Sequence, residues 1–495
     1  MAESPNLLVF LTDEQRYDTL ACYGNGEIRM PNLNALAAQS CVVEEAYCTQ
    51  PVCTPARGSY LTGLYPHAHG AWFNNIPLSS DAKCLPEYLP QGEANGYATA
   101  YFGKWHLGDE IFAQHGFQEW RSVESTWVNY NKHFSEGRDK SAKSTYHHYL
   151  RRRGYKPDAD QGTSFSRDLT TKLPERDGKP AYLAREASRF IREHQDEPFA
   201  LYVSFLEPHM PFYGPRDDQY DPDEVPLPAN FDAVPGENDP LRARLGYLRF
   251  FHEGFERYDL SGEAGWRQLV ASYWGLCSLI DTHIGRVMAT LDECGLMDDT
   301  IVAFTSDHGD MMGSHRLLGK GVMYQESVRV PLLVRLPGQT TQRRITGPFS
   351  QIDLAPTLLD LMEQPVPDTH GVSRRELVEA GGALDEDAFI QWNCHPPAPD
   401  RVYPSYVLEA AGSAARAADA YADEVRTLIT PDGWRFTYSP AGDHALFNLR
   451  DDPGERVNLA HRPDYRSLMG ELTARMRDRQ ASVGDPKMVP ETPSW

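Results

Sequence analysis

Residues 6–12 read NLLVFLT, a short apolar run that breaks at the polar residues DEQR, positions 13–16. An unbroken apolar run of this length suits a strand buried on both faces, and it delivers Asp13 and Glu14 at its carboxyl end. A helix follows: Pro31 opens PNLNALAAQS at a first-turn position, with Leu33, Leu36 and Ala37 at helical spacing. The alternation continues with residues 199–205 (FALYVSF), 300–306 (TIVAFTS) and 330–336 (VPLLVRL), separated by helical stretches over 181–194 and 266–294. Strands alternating with helices predict an α/β fold, a large mainly parallel or mixed sheet sandwiched by helices. In such sheets ligands sit beyond the carboxyl ends of the strands. Polar clusters fall at three of those ends: DEQR after the first run, EPHMPF after FALYVSF, and SDHGD after TIVAFT.

From about residue 380 the pattern changes to short pieces (FIQWNC, VRTLIT, WRFTYS, HALFNL) between turn residues, closed by a helix near 465–480. This divides the chain into a main domain over residues 1–380 and a small C-terminal antiparallel α+β subdomain over residues 381–495. At 495 residues the chain exceeds what one core usually spans, which suits a large unit with an appendage. Residues 207–240 are rich in proline and read as an ordered loop. No run approaches the roughly 18 apolar residues of a membrane span. The start, MAESPNLLVFLTDEQR, lacks a basic segment before its apolar run, so the expected location is cytoplasmic. Eight cysteines with no CxxC pair argue against a disulfide scaffold or a zinc knuckle. A formal net charge of −22 repels nucleic acid and anionic membranes. Residues 121–180 run against that trend: between 121 and 179, 13 Lys+Arg face 8 Asp+Glu, with Arg151, Arg152 and Arg153 in series. The segment reads either as a solvated surface insertion or as a lid or subunit contact near an anionic substrate, which leaves a homo-oligomer open.

CTPARGS, residues 53–59, precedes the helical stretch SYLTG, with Pro55 suited to a first turn and Gly63 to a stop. Cys53 then sits at a helix N-terminus, where free N–H groups and the dipole favour negative charge, and Arg57 lies four residues on along the same face. That pair suits an oxyanion. A thiol phosphatase loop would place its arginine at position 59, which is Ser59. Asp13 and Glu14, taken alone, read as a helix cap or a solvated pair. Combined with Asp307 and His308 of SDHGD, they offer the carboxylates and imidazole that a divalent cation requires. Lys104 and His106 in YFGKWHLG are two apart, so on an extended segment both point to one face.

CTPAR followed by GLYPHAHG looks like the signature of the type I, formylglycine-dependent sulfatases of the alkaline phosphatase superfamily, and the likeness spans nearly the whole chain. The resemblance implies an alkaline-phosphatase-like fold and hydrolysis of small anionic sulfate esters. In that family a formylglycine-generating enzyme oxidises the Cys of CxPxR to formylglycine. The hydrate of this residue supplies one hydroxyl that attacks sulfur and another that expels sulfate. Carried over, Cys53 is that residue and Arg57 stabilises the hydrate. Asp13, Glu14, Asp307 and His308 would hold one divalent metal together with the oxygen at position 53. Calcium is the first choice; manganese or magnesium stays open, because His308 stands where many relatives have Asn, and Glu14 where many have Asp. YFGKWHLG resembles the sulfatase GKWHLG, implying that Lys104 binds sulfate oxygens and that His106 assists the nucleophilic hydroxyl or its elimination. By the same resemblance His209 in EPHMPF contacts the sulfate and protonates the leaving oxygen, and Lys320 in LLGKGVMYQE is a second sulfate-binding lysine. His67, His69 and His315 stand in family-like contexts, with Trp72, Asn74 and Asn75 as further subsite candidates. The segment HALFNLRDDPGERVNLA resembles a closing pattern that is structural in the family.

Two other readings share these motifs. A phosphonate monoester or phosphodiester hydrolase would use the same site, and GKWHLG counts against it. A non-catalytic sulfate- or sulfoglycan-binding protein should lack the Cys, Arg or Lys, and none is missing. The alcohol part of the ester, whether aryl, alkyl, choline-like or sugar, is not written in these motifs.

Overall fold

A computed structural model describes residues 5–92, 96–124, 142–156 and 171–491. The run at the start of the chain is strand β1, Asn6–Asp13, buried along its whole length. Its side chains alternate between two cores: Leu8 and Phe10 join one hydrophobic cluster, and Leu7, Val9 and Leu11 the other. This two-sided burial is why the run shows no polar alternation. Eight more strands complete the sheet: β2 (Cys41–Tyr47), β3 (Ala98–Gly103), β4 (Glu119–Ser122), β5 (Phe199–Pro208), β6 (Thr300–Ser306), β7 (Arg329–Arg335), β8 (Arg343–Ser350) and β9 (Gly382–Ala383). Their order is β4-β3-β5-β1-β6-β7-β2-β8-β9. β1 lies parallel to both neighbours, with Leu7 opposite Ala200 of β5 and Phe10 opposite Phe304 of β6. β7 runs antiparallel to β6 and β2 while the other pairs are parallel, so the sheet is mixed.

Helices cover both faces. Lys179–Glu193 and Glu263–Glu293 pack into the cluster of Leu8 and Phe10, whereas Cys53–Thr62 and Leu354–Leu361 pack into the opposite one. A second, antiparallel sheet of four strands follows: β10 (Ala388–Gln391), β11 (Arg426–Ile429), β12 (Trp434–Tyr438) and β13 (Ala445–Asn448). These strands coincide with the four short pieces read from the sequence. The closing helix Arg466–Val483 packs on this sheet through Met469, Leu472 and Met476. Two helices between β10 and β11, Ser405–Ala411 and Ala414–Ala422, had no counterpart in the pattern reading. About half of the 121–180 insertion, positions 125–141 and 157–170, lies outside the described residues. Of its basic series, Arg151, Arg152 and Arg153 lie exposed at the end of the helix Thr145–Arg152. No helix among the described residues is long and apolar enough to cross a membrane.

Candidate active site

The carboxyl ends of β1, β3, β5 and β6 converge, and the chemistry-bearing residues of the sequence meet there. Asp13 closes β1 and Glu14 follows it; Lys104 and His106 follow β3; His209 follows β5; Asp307 and His308 follow β6. The helix Cys53–Thr62 points its N-terminus at the same place. Its cap residue, Val52, has no side-chain acceptor, and Asn74 Oδ1 accepts the Thr54 N–H at 3.0 Å instead. Gly63, in a left-handed conformation at φ 73°, ends the helix at the position expected from the sequence.

Cys53 is buried, with Sγ 3.7 Å from Asp13 Oδ1 and 3.4 Å from His308 Nε2. Arg57, one turn along the helix, donates from Nη2 to Asp13 Oδ2 at 2.8 Å and from Nε to Asp307 Oδ2 at 2.9 Å. Its Nη1 reaches the Lys104 carbonyl at 2.7 Å and Ser204 Oγ at 3.0 Å. Lys104 Nζ lies 2.5 Å from Asp13 Oδ2. Burial alone would raise the Asp13 pKa, but Lys104 and Arg57 outweigh it and hold the carboxyl well below its ordinary value. Burial and the neighbouring Asp13 push Asp307 the other way.

Glu14 has a left-handed backbone, φ 63°, held by its N–H to Asp307 Oδ1 at 3.2 Å and by Tyr273 OH donating to its carbonyl at 2.7 Å. Its buried carboxylate faces Lys320 Nζ in direct contact and His209 Nε2 at 3.4 Å. His209 Nδ1 donates to the Met210 carbonyl at 2.8 Å. His308 Nδ1 likewise donates to the Gly309 carbonyl at 2.8 Å, so in the neutral ring the Nε2 lone pair faces Cys53.

Asp13, Glu14, Cys53 and His308 each offer a ligand atom within 4.8 Å of the others, all four buried. Glu14 Oε2 accepts no hydrogen bond from the described residues. A divalent cation fits this donor set of carboxylate oxygens and an imidazole nitrogen. Asp307 stands beside the group, with Oδ1 accepting the N–H groups of Glu14 and His308 and Oδ2 taken by Arg57.

The alternation expected along GKWH does not run through His106, whose φ is 59°. Glu110 imposes the turn by accepting the N–H of Trp105 at 3.1 Å and of His106 at 2.7 Å. The His106 ring comes within 3.4 Å of Asn75 Oδ1, and burial together with Lys104 and Arg57 keeps it neutral. Three histidines of the family-like contexts lie elsewhere. His69 packs under the Cys53 helix, Nε2 at 3.2 Å from the Pro55 carbonyl and 3.3 Å from Ser59 Oγ. His67 reaches the Val483 carbonyl at 2.9 Å and Gln391 at 3.2 Å. His315 bonds the Ala233 carbonyl at 2.7 Å and stacks on Tyr324. Sequence reasoning passed over Glu110, Ser204 and Asp310. Asp310 was visible as the last residue of SDHGD; Oδ1 accepts the N–H groups of Met312 at 2.7 Å and Gly319 at 3.0 Å, setting the loop that presents Lys320.

The chain as a whole is similar to known proteins. The Sulfatase family model matches residues 5–364. The chain is 28% identical over 494 residues to the ulvan-active sulfatase of Formosa agariphila, covering 97% of this chain and 82% of that protein. It is 30% identical over 492 residues to YidJ, an uncharacterized sulfatase of Escherichia coli strain K12, covering 97% and 88%. In fold it is similar to the phosphonate monoester hydrolase of Agrobacterium radiobacter, with a TM-score of 0.73 at 24% identity over 97% of this chain and 96% of that one. The chain therefore belongs to the sulfatase family, sulfuric ester hydrolases, and has an alkaline-phosphatase-like fold.

Proposed function

We propose that the protein hydrolyses sulfate monoesters with formylglycine, formed from Cys53 by a formylglycine-generating enzyme, and one divalent metal. The observation that carries this reading is the meeting at one point of Cys53, on a helix N-terminus, with Asp13 and His308, while Arg57 and Lys104 brace Asp13. The hydrated aldehyde at position 53 would supply a nucleophilic hydroxyl and a second hydroxyl whose deprotonation releases sulfate. Asp13, Glu14, Asp307 and His308 would hold the metal, whose positive charge supplies electrostatic stabilisation of the sulfate oxygens.

The chain's own groups divide the remaining work. Arg57 orients Asp13 and Asp307 together and adds fixed positive charge beneath residue 53. Lys104 and Lys320 approach from two sides, suited to an anion whose charge shifts toward the bridging oxygen as the S–O bond breaks. His106 is neutral in its pocket, where burial, Lys104 and Arg57 depress its basicity, and it can accept a proton once the anionic substrate offsets those two cations. His209, with Nδ1–H tied to a carbonyl and Nε2 facing the site, is placed to hand the Nε2 proton of its doubly protonated form to the leaving alcohol. The chain divides, on this reading, into a main domain over 1–380 and a C-terminal subdomain over 381–495, with β9 at the start of the second still paired to β8 of the large sheet.

Cys53→Ala is expected to abolish turnover of an aryl sulfate while leaving the fold intact by circular dichroism. A variant with ordinary turnover refutes the assignment. Intact-mass analysis of active protein should show the CH2SH group of residue 53 converted to CHO. A faster rate on an aryl phosphonate monoester than on the matched aryl sulfate would instead favour the phosphonate reading.

A further inference from the structure

Beside Lys320 opens a cleft of about 740 Å3 that the sulfate-handling residues do not fill. Its volume lies within the usual span of small-molecule sites. Met210, the neighbour of His209, and Lys320 border it, so it continues outward from where the leaving alcohol would stand. Arg242, Arg249 and Arg401 also line it. The lining holds four cations, these three and Lys320, against a single carboxylate, Glu253, in a chain whose net charge is −22. Glu253 is already engaged, accepting from Arg249 Nε at 3.3 Å and from Tyr406 OH at 2.6 Å.

The aromatic walls of the cleft are also arranged around guanidinium groups. Arg401 lies over Tyr403 and Tyr421, at 5.2 and 4.6 Å from the ring centroids, and Arg249 over Phe250 at 5.6 Å. Arg242 donates to the carbonyls of Gly321 and Tyr421 while stacked on Trp392. A quaternary ammonium seeking these ring faces meets the protein's own cations there. An anion meets donors on exposed side chains.

We infer that the alcohol part of the ester is itself anionic, carrying a carboxylate or second sulfate that Arg249 and Arg401 receive on the Lys320 side of the site. This rests on the proposed sulfate-ester hydrolysis and narrows its substrate: cationic, choline-like sulfates are excluded, and sulfated acidic sugars or aryl acids are admitted.

The test compares a neutral aryl sulfate with one of matched leaving-group pKa that bears a carboxylate on the far side of the ring, using full-length protein with residue 53 verified by mass. Wild type should prefer the carboxylate-bearing ester by about tenfold in kcat/KM, with KM rising as salt is added. Arg249→Gln combined with Arg401→Gln should erase the preference and leave the neutral ester unchanged, since Arg249 is 59% exposed and Arg401 lies at the surface. A sulfated disaccharide with and without a uronate carboxylate separates the sugar source from the aryl one. Calorimetric binding of the carboxylate-bearing phenol, with no ester to cleave, reads the cleft independently of turnover; wild type should bind it about tenfold more tightly than the double variant. Equal rates on both esters, equal binding by both proteins, or a preference for choline sulfate overturns the inference and leaves the sulfatase reading standing. Carboxylate-dependent binding without hydrolysis of any sulfate ester overturns the sulfatase reading instead.

Discussion

Cys53 in its unmodified form is a reluctant nucleophile: burial raises its pKa far above the ordinary thiol value, and the carboxylates of Asp13 and Asp307 add to the rise that Lys104 and Arg57 only partly offset. The same surroundings welcome a neutral polar group or a metal ligand. His308 is tied by Nδ1 to a carbonyl, which orients Nε2 toward residue 53. His308→Ala is expected to raise the metal concentration for half-maximal activity by about tenfold or more, in a titration of chelator-stripped enzyme. An unchanged metal requirement would remove His308 from the ligand set. Lys320 reports through pH. Burial lowers its pKa to about 8, Asp13 opposing, so the ammonium form prevails below that value and is lost above it. If its charge faces the leaving oxygen, kcat/KM falls above pH 8 by about tenfold per pH unit. Lys320→Arg, whose cation persists, should push that alkaline limb upward.

Strand ends set these residues in place, and β3 and β5 approach closely at Gly103. Gly103 ends β3 at φ 123°, and a Cβ there would sit 1.7 Å from the Ser204 carbonyl oxygen. Neither strand has room to give, because Lys104 N–H bonds that same carbonyl at 3.0 Å while Ser204 Oγ and Arg57 both bond the Lys104 carbonyl. Gly103→Ala is expected to cost about 3 kcal/mol or more in denaturant unfolding, from positive φ and overpacking together. A variant of wild-type stability would show that the strand ends can part. The helix Cys53–Thr62 is braced differently. The His69 ring fills the space beside Gly58, where a Cβ would fall 2.5 Å from it, and burial lowers its pKa to about 3, so it stays neutral against the Pro55 carbonyl.

Over the whole chain, the antiparallel sheet is joined to the rest by buried charge as well as apolar contact. Glu455, in the closing motif, pairs with Arg435 and accepts the Gln325 N–H at 2.7 Å, linking it to the segment before β7. Arg426 on β11 forms a two-pronged pair with Asp485, Nε to Oδ2 at 2.6 Å and Nη2 to Oδ1 at 3.1 Å. Burial opposes the Asp485 charge, but the Arg426 bond outweighs it and lowers the pKa from 3.8 to about 2. A depressed acid contributes stability that is fully present above about pH 4 and lost as pH falls toward 2, here about 2 kcal/mol in all. Asp485→Asn should therefore lower the thermal midpoint at neutral pH, where Arg426 is left buried without its partner. The gap to wild type should narrow below pH 4; a gap constant with pH would mean the pair contributes no net charge interaction.

The strands β1, β5, β6 and β7, the helix behind CTPAR and the four short C-terminal strands were all legible in the chain, because two-sided burial and turn residues leave local marks in composition. β2 was not: CVVEEAY carries Glu44 and Glu45, half-buried at a register shift, inside the apolar pattern. β3, ATAYFG, is too rich in small residues to stand out. The types of the site residues were legible as well, since Cys, Arg, Lys, His and Asp cluster after apolar runs. Which histidines face the site was not. His67, His69 and His315 stand in motifs as suggestive as that of His209, and only packing sends their rings to carbonyls elsewhere. The antiparallel direction of β7, the turn at His106 imposed by Glu110 and the gathering of arginines from distant segments around Lys320 are likewise tertiary. Each depends on hydrogen bonds or packing between segments whose proximity is set by sheet order, and local periodicity carries no record of that order.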